Sequence, residues 1–107
     1  MSKKIIKKLN LLVADMTVFY QKLRHYHWNV KGPQFFQLHE KFEIIYTEVG
    51  DVIDELAERI VGLDGVPLHT LSSMLDVSSL KEDSEIPQPD VMVNRTVEDT
   101  EVIIGKL

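Results

Sequence analysis

Two histidines and two carboxylates in this sequence stand at spacings that suit a bound cation. If the chain folds back on itself about residue 33, positions whose numbers sum to 66 lie side by side, and His27 with His39 meets that condition. Two imidazoles projecting from facing helices near one end of a hairpin make half of a metal site. Separately, Asp54 and Glu58 are four residues apart, the interval at which two carboxylates on one helix face converge on one cation. The chain contains no cysteine. Thiolate zinc sites, iron–sulfur ligation, disulfides and cysteine nucleophiles are therefore excluded, and any metal must take its ligands from His, Asp and Glu.

Helical geometry decides how these groups can meet. At about 100° per residue, His39, Glu43, Asp54 and Glu58 fall at about 0°, 40°, 60° and 100° around one helix, so they share a face. At the helical rise, however, His39 and Asp54 are about 22 Å apart along the axis, so one chain cannot place both on a single metal. A second copy can. In an antiparallel pairing of this helix, His39 with Glu58 sums to 97, as does Glu43 with Asp54. Gly50 lies on the same face near the expected crossing, where close approach of a second backbone would offset its cost of about 1 kcal/mol in a helix interior. The sequence thus predicts a two-fold dimer with metal sites shared between chains. His25 has no partner in either register and is expected at the surface, as is His69 in a connector.

The elements that must position these groups are legible as hydrophobic periodicity. Ile5, Leu9, Leu12, Met16, Phe19, Leu23, Tyr26 and Val30 alternate spacings of four and three, which predicts a helix of about seven turns. Ile6, Val13, Tyr20 and His27 repeat every seven residues beside it and widen the buried face. Gly32 and Pro33 read as a helix stop followed by a start, with proline in the first turn. Phe35, Leu38, Phe42, Ile45, Val49, Val52, Leu56, Ile60 and Leu63 then predict a second helix of about eight turns, ended by Gly62, Gly65 and Pro67. Leu71, Met74 and Leu75 fit a short turn or two inside a connector running to residue 89. A final helix is expected with Asp90 as its N-cap and a buried row of Val93, Val97, Ile104 and Leu107.

Length and charge bound the rest. A chain of 107 residues with 44% hydrophobic content supports one domain with one modest core, here taken as residues 1–107. The net charge is -5, divided between +6 over residues 1–41 and -11 over residues 42–107. That balance disfavours nucleic acid as an obligatory partner. Glu82, Asp83, Glu85, Asp90, Glu98, Asp99 and Glu101 are expected to form a solvated face. No uncharged stretch approaches a bilayer span and no signal-peptide core is present, so the chain reads as soluble and cytoplasmic with no membrane partner.

The stretch HYHWNVKGPQFFQLHEKFEIIYTEVGDVIDELAERIVGLDGVP resembles the hallmark of the family named for the DNA-binding protein from starved cells (Dps), and the likeness extends over roughly residues 5–80. The resemblance implies an all-α, ferritin-like four-helix subunit assembled as a hollow dodecamer. It implies oxidation of Fe(II), preferentially with hydrogen peroxide, otherwise with oxygen, and storage of ferric iron as part of a stress response. His27 and His39 are similar to the family's iron ligands from one subunit, while Asp54 and Glu58 resemble those contributed across the two-fold axis. His27, His39, Asp54 and Glu58 are accordingly expected to be catalytic. Glu43 stands where many members have Asp, and Trp28 resembles the aromatic beside the iron site, although it also fits a core or interface position. The Glu-x-x-His motif of ordinary ferritins does not occur after residue 58.

The chain departs from that pattern in two ways. It stops at Leu107, so the expected bundle is truncated within its third long helix and lacks the fourth, leaving an apolar groove. Its only lysine cluster is Lys3, Lys4, Lys7 and Lys8, which predicts weak or absent DNA binding. Two other readings fit the same residues. One is a nucleoid-condensing stress protein with a vestigial metal site; the other is a helical oligomerisation fragment whose charged residues make only interface ion pairs.

Overall fold

The structure is a computed structural model that describes residues 2–107. Its first two helices, α1 (Ser2–Asn29) and α2 (Phe35–Gly62), are 28 residues each and form an antiparallel hairpin. Each spans about 42 Å at the helical rise, which accounts for most of the 50 Å long axis. Gly32 makes the turn with φ of 106°, a conformation open to glycine without a Cβ clash. Pro33 stands in the turn just ahead of α2 rather than in its first helical turn, and the Phe35 amide donates to the Gly32 carbonyl at 3.1 Å.

The hairpin keeps the expected register and then drifts. His27 faces His39 and Tyr20 faces Tyr46, both summing to 66. Toward the open end Gly50 lies against Tyr20, and Gly65 against Ile6, sums of 70 and 71. Gly50 therefore has a reason within the chain: a Cβ there would stand 3.3 Å from the Tyr20 ring.

The end of α2 is a Schellman motif. Gly65 N–H donates to the Ile60 carbonyl and Asp64 N–H to that of Val61, at 2.9 and 3.0 Å. The left-handed residue is Asp64, with φ of 66°, not either flanking glycine; aspartate tolerates that region better than most side chains. Asn10, which interrupts the apolar run of α1, holds the chain beyond this cap. Its amide donates to the Val66 carbonyl and its oxygen accepts from Leu68 N–H.

Two shorter helices follow, α3 (Leu71–Val77) and α4 (Pro89–Ile104). The Thr70 hydroxyl caps α3 by accepting from Ser73 N–H. The N-cap of α4 is Gln88, with Pro89 at the first helical position and Asp90 in the first turn. Proline fixes the residue before it in an extended conformation, so the boundary falls one step before Pro89 and not at Asp90. The inward row of α4 is also corrected. Met92, Thr96 and Ile103 are buried, while Val93, Val97, Ile104 and Leu107 are exposed. Thr96 enters the interior because its hydroxyl donates to the Met92 carbonyl within the helix, leaving only its methyl group to pack.

The core runs along the inner faces of the hairpin and under α4, through Val18, Phe19, Leu23, Tyr26, Val30, Phe42, Val49, Leu80, Met92 and Ile103. Inside it lies a fully buried carboxylate, Asp15. One oxygen accepts from the Ser78 hydroxyl and Ser79 N–H, both at 2.8 Å, and the other faces the Lys106 ammonium at 3.1 Å. Asp15 thereby ties α1 to the connector and to the residues after α4. Among the described residues there is no strand, and no helix is long and apolar enough to cross a membrane.

Candidate metal centre

His27 lies in the last turn of α1 and His39 in the second turn of α2, at the closed end of the hairpin. The carbonyl of His27 is among the last four of its helix, which lack an amide partner further along the chain. His39 supplies one: its Nδ1–H donates to that carbonyl at 2.7 Å. In return, His27 Nδ1–H donates to the His39 carbonyl at 2.6 Å. A carbonyl only accepts, so in each neutral ring the proton sits on Nδ1 and Nε2 carries the lone pair. Both rings are thus fixed in orientation with Nε2 as the free acceptor atom, the kind of outer hydrogen bond that also orients metal-ligating histidines.

The rings lie nearly parallel, centroids 3.7 Å apart at 15°. Phe35 stacks on the outer side of His39 at 4.8 Å, and Tyr46 meets His27 edge-on at 5.4 Å. Glu43, one turn beyond His39, places a carboxylate oxygen 3.9 Å from His27 Nε2. One ligand atom from each of His27, His39 and Glu43 lies within 4.8 Å of the others, the arrangement of a possible cation site. His27 is 7% exposed whereas the Glu43 side chain is 56% exposed. The site therefore opens outward on the carboxylate side.

The remaining predicted residues lie elsewhere. Asp54 and Glu58 are exposed further along α2, about 22 Å or more from His39 along the axis. Neither carboxylate has an ion-pair or hydrogen-bond partner among the described residues. Trp28 is 56% exposed, which removes it from the core of the chain; its ring lies 5.0 Å from the Arg24 guanidinium carbon. His69 bonds locally to the Pro67 carbonyl.

His25, expected to be without a partner, has two. Its Nε2–H donates to the Glu85 carbonyl at 2.7 Å, and its Nδ1 accepts from the Asn29 amide at 2.9 Å. The solvated acidic face is corrected at two further places. Asp83 accepts from the Tyr26 hydroxyl at 2.6 Å and from Arg95 at 2.8 Å, and Asp99 pairs with Lys22 at 2.6 Å. Burial alone would raise the Asp83 pKa, but the hydrogen bonds from Tyr26 and Arg95 outweigh it and bring the carboxyl down to about 2. Burial first, then the bond to Asp83, pushes the Tyr26 phenol upward.

The fold and the sequence as a whole have counterparts among known proteins. The ferritin-like domain model matches residues 6–107. The chain is 45% identical to DNA protection during starvation protein 2 of Bacillus anthracis over all 107 residues, which is 73% of that relative's length. It is 44% identical to general stress protein 20U of Bacillus subtilis, of which it covers 74%. The crystal structure of Dps from Vibrio cholerae O1, described as a member of a broad superfamily of ferritin-like diiron-carboxylate proteins, superimposes with a TM-score of 0.95 at 39% identity.

The chain belongs to the Dps family.

The superposition covers 98% of this Dps chain and 66% of the Vibrio cholerae one; for Dps from Staphylococcus aureus it covers 97% and 70%, with a TM-score of 0.94 at 42% identity. The hairpin, connector and final helix of this Dps chain are therefore a ferritin-like all-α arrangement spanning about two thirds of those structures. What sequence reasoning missed at the site was its support, namely the reciprocal carbonyl bonds and the flanking rings of Phe35 and Tyr46. The register sum of 66 that pairs His27 with His39 also pairs Tyr20 with Tyr46, so one of those rings was within reach.

Proposed function

We propose that this protein oxidises Fe(II), with hydrogen peroxide as the preferred oxidant and oxygen as the other, and sequesters the ferric product inside a hollow oligomer. The observation that carries this reading is the pair of imidazoles whose Nδ1–H groups are already engaged on backbone carbonyls, with one ligand atom from each of His27, His39 and Glu43 within 4.8 Å of the others and His27 Nε2 3.9 Å from the Glu43 carboxylate. Nitrogen and carboxylate ligands without thiolate suit Fe(II), and an incomplete ligand set keeps positions open for oxidant. The half-site calls for more carboxylate. Asp54 and Glu58 have it to give, exposed and unpaired among the described residues, and they meet this site only from a second copy crossing in the antiparallel sense. His27, His39, Asp54 and Glu58 then form the catalytic set, with Glu43 as a further ligand. A dodecamer is the assembly that follows from this family reading.

The chemistry balances simply. Two Fe(II) ions each give up one electron, the O–O bond of one peroxide breaks, and two protons complete two waters. Such a reaction removes both ingredients of hydroxyl-radical formation together, which gives chemical content to the words protection and stress in the names of its relatives. Charge favours this over coating of DNA. Lys3, Lys4, Lys7 and Lys8 are exposed at one helix end, but the chain carries a net -5. Mixing anaerobic protein and Fe(II) with peroxide should consume one peroxide for every two irons. A rate no faster than that of free Fe(II), or one unchanged by His39→Ala, would contradict the proposal.

A further inference from the structure

The helix α3 is the most lightly anchored element of the chain. It has seven residues, none of them buried, and a helix that short does not hold itself together in water. Polar clamps tie the chain to α1 on either side of it. Asn10 holds Val66 and Leu68 before it, and Asp15 holds Ser78 and Ser79 after it. Between the clamps Leu71, Leu75 and Val77 are exposed, and Met74 is the one apolar side chain of α3 that is not. Met74 therefore supplies the apolar contact that seats α3.

Met74 also borders open space. It lines a cleft of about 510 Å³ between α3 and α1, whose other wall includes Thr17, Tyr20 and Gln21. Hydrogen peroxide is little larger than water and enters such a cleft freely. The other described methionines are placed differently: Met92 is fully buried, and Met16 packs against the core and does not line this cleft. With no cysteine in the chain, thioethers are the only sulfur atoms it offers to a two-electron oxidant.

We propose that Met74 is a site of modification by peroxide and that its oxidation releases α3 from α1. The thioether sulfur takes one oxygen atom as the O–O bond of hydrogen peroxide breaks, giving methionine sulfoxide and one water. Sulfur loses two electrons and peroxide gains them. The product puts a strongly polar group where an apolar anchor stood. Ser78 N–H, which donates to the Met74 carbonyl at 2.9 Å, then loses the helix it closes. Only the segment between the two clamps is released, and reductases that return sulfoxide to thioether can restore it. The step needs no iron, so α3 responds to peroxide that arrives when the metal centre holds no Fe(II).

The test uses the assembled full chain, freed of metal by a chelator and treated with hydrogen peroxide. Peptide mass spectrometry should find one added oxygen on Met74 well before Met16 or Met92. Losing part of one methionine's burial should speed amide hydrogen exchange over residues 71–77 by about tenfold, with α1 and α2 unchanged. Met74→Leu should keep slow exchange after peroxide, and Met74→Gln, polar and of similar length, should exchange fast without it. Oxidation of Met74 no faster than that of Met92, or complete oxidation with exchange over residues 71–77 unchanged, would overturn the proposal. Neither result bears on the Fe(II)-oxidising reading, because no iron takes part.

Discussion

At the residue scale the fold depends on a few polar groups buried with their partners. Tyr26 and Asp83 are the clearest case, because each shifts the titration of the other. A carboxyl whose folded pKa lies below its unfolded value stabilises the fold above the unfolded value and loses that contribution as pH falls through the folded one. For Asp83 the window runs from about 3.8 down to about 2. Tyr26→Phe removes a hydrogen bond to a charged acceptor and should cost about 1–2 kcal/mol at neutral pH. The deficit should narrow as acid protonates Asp83, and urea unfolding of both proteins across that window measures it. A constant deficit down to pH 2 would mean that the ring environment, not the carboxylate bond, is responsible. The same pair shows why the solvated acidic face was misread. Tyr26 and Asp83 are 57 positions apart, and nothing in the local pattern around Asp83 announces a buried hydroxyl.

At the scale of elements, the glycines separate packing from conformation. A Cβ on Gly65 would meet Ile6 Cδ1 at 2.9 Å, with Ile6 Cγ2 and Ile60 Cγ2 at 3.0 Å, whereas one on Gly62 would meet nothing within 4 Å. Gly65→Ala should therefore destabilise by about 1–3 kcal/mol through overpacking. Gly62→Ala should be neutral or stabilising by up to about 1 kcal/mol through lost freedom of the unfolded chain. Thermal unfolding of the two variants should move in opposite directions or, at the least, fall only for Gly65→Ala. The hairpin was legible because two unbroken rows at helical spacing leave no other period; its register gave His27 and His39 their places, and Glu43 followed from sharing a face of α2 with His39. Less of α4 was legible. Its two candidate rows differ by one position, and a Thr96 counted as polar hid the buried row whose hydroxyl is satisfied inside the helix. The orientation of the imidazoles was hidden for a related reason. It depends on which carbonyls fall in the last turn of α1, a boundary that periodicity does not fix.

At the scale of the whole molecule, charge and symmetry carry the argument. A net charge of -5 with one exposed cluster of four lysines predicts no retardation of duplex DNA that survives physiological salt, since screening reduces what attraction the cluster offers. A gel shift across a salt series checks this, and salt-stable retardation would contradict it. Symmetry bears on the central claim, that one chain's histidines work with another chain's Asp54 and Glu58. The double variant His27→Ala/His39→Ala and the double variant Asp54→Ala/Glu58→Ala should each abolish fast Fe(II) oxidation, because every homodimer spoils both of its sites. In a mixed dimer, one site collects all four changes while the other regains native histidines from one chain and native carboxylates from its partner. The two inactive proteins are unfolded together, refolded, and compared with each refolded alone to native mass. Recovery of peroxide-dependent Fe(II) oxidation in proportion to the fraction of mixed dimers is the predicted result, and no recovery in verified mixed dimers would contradict the shared site.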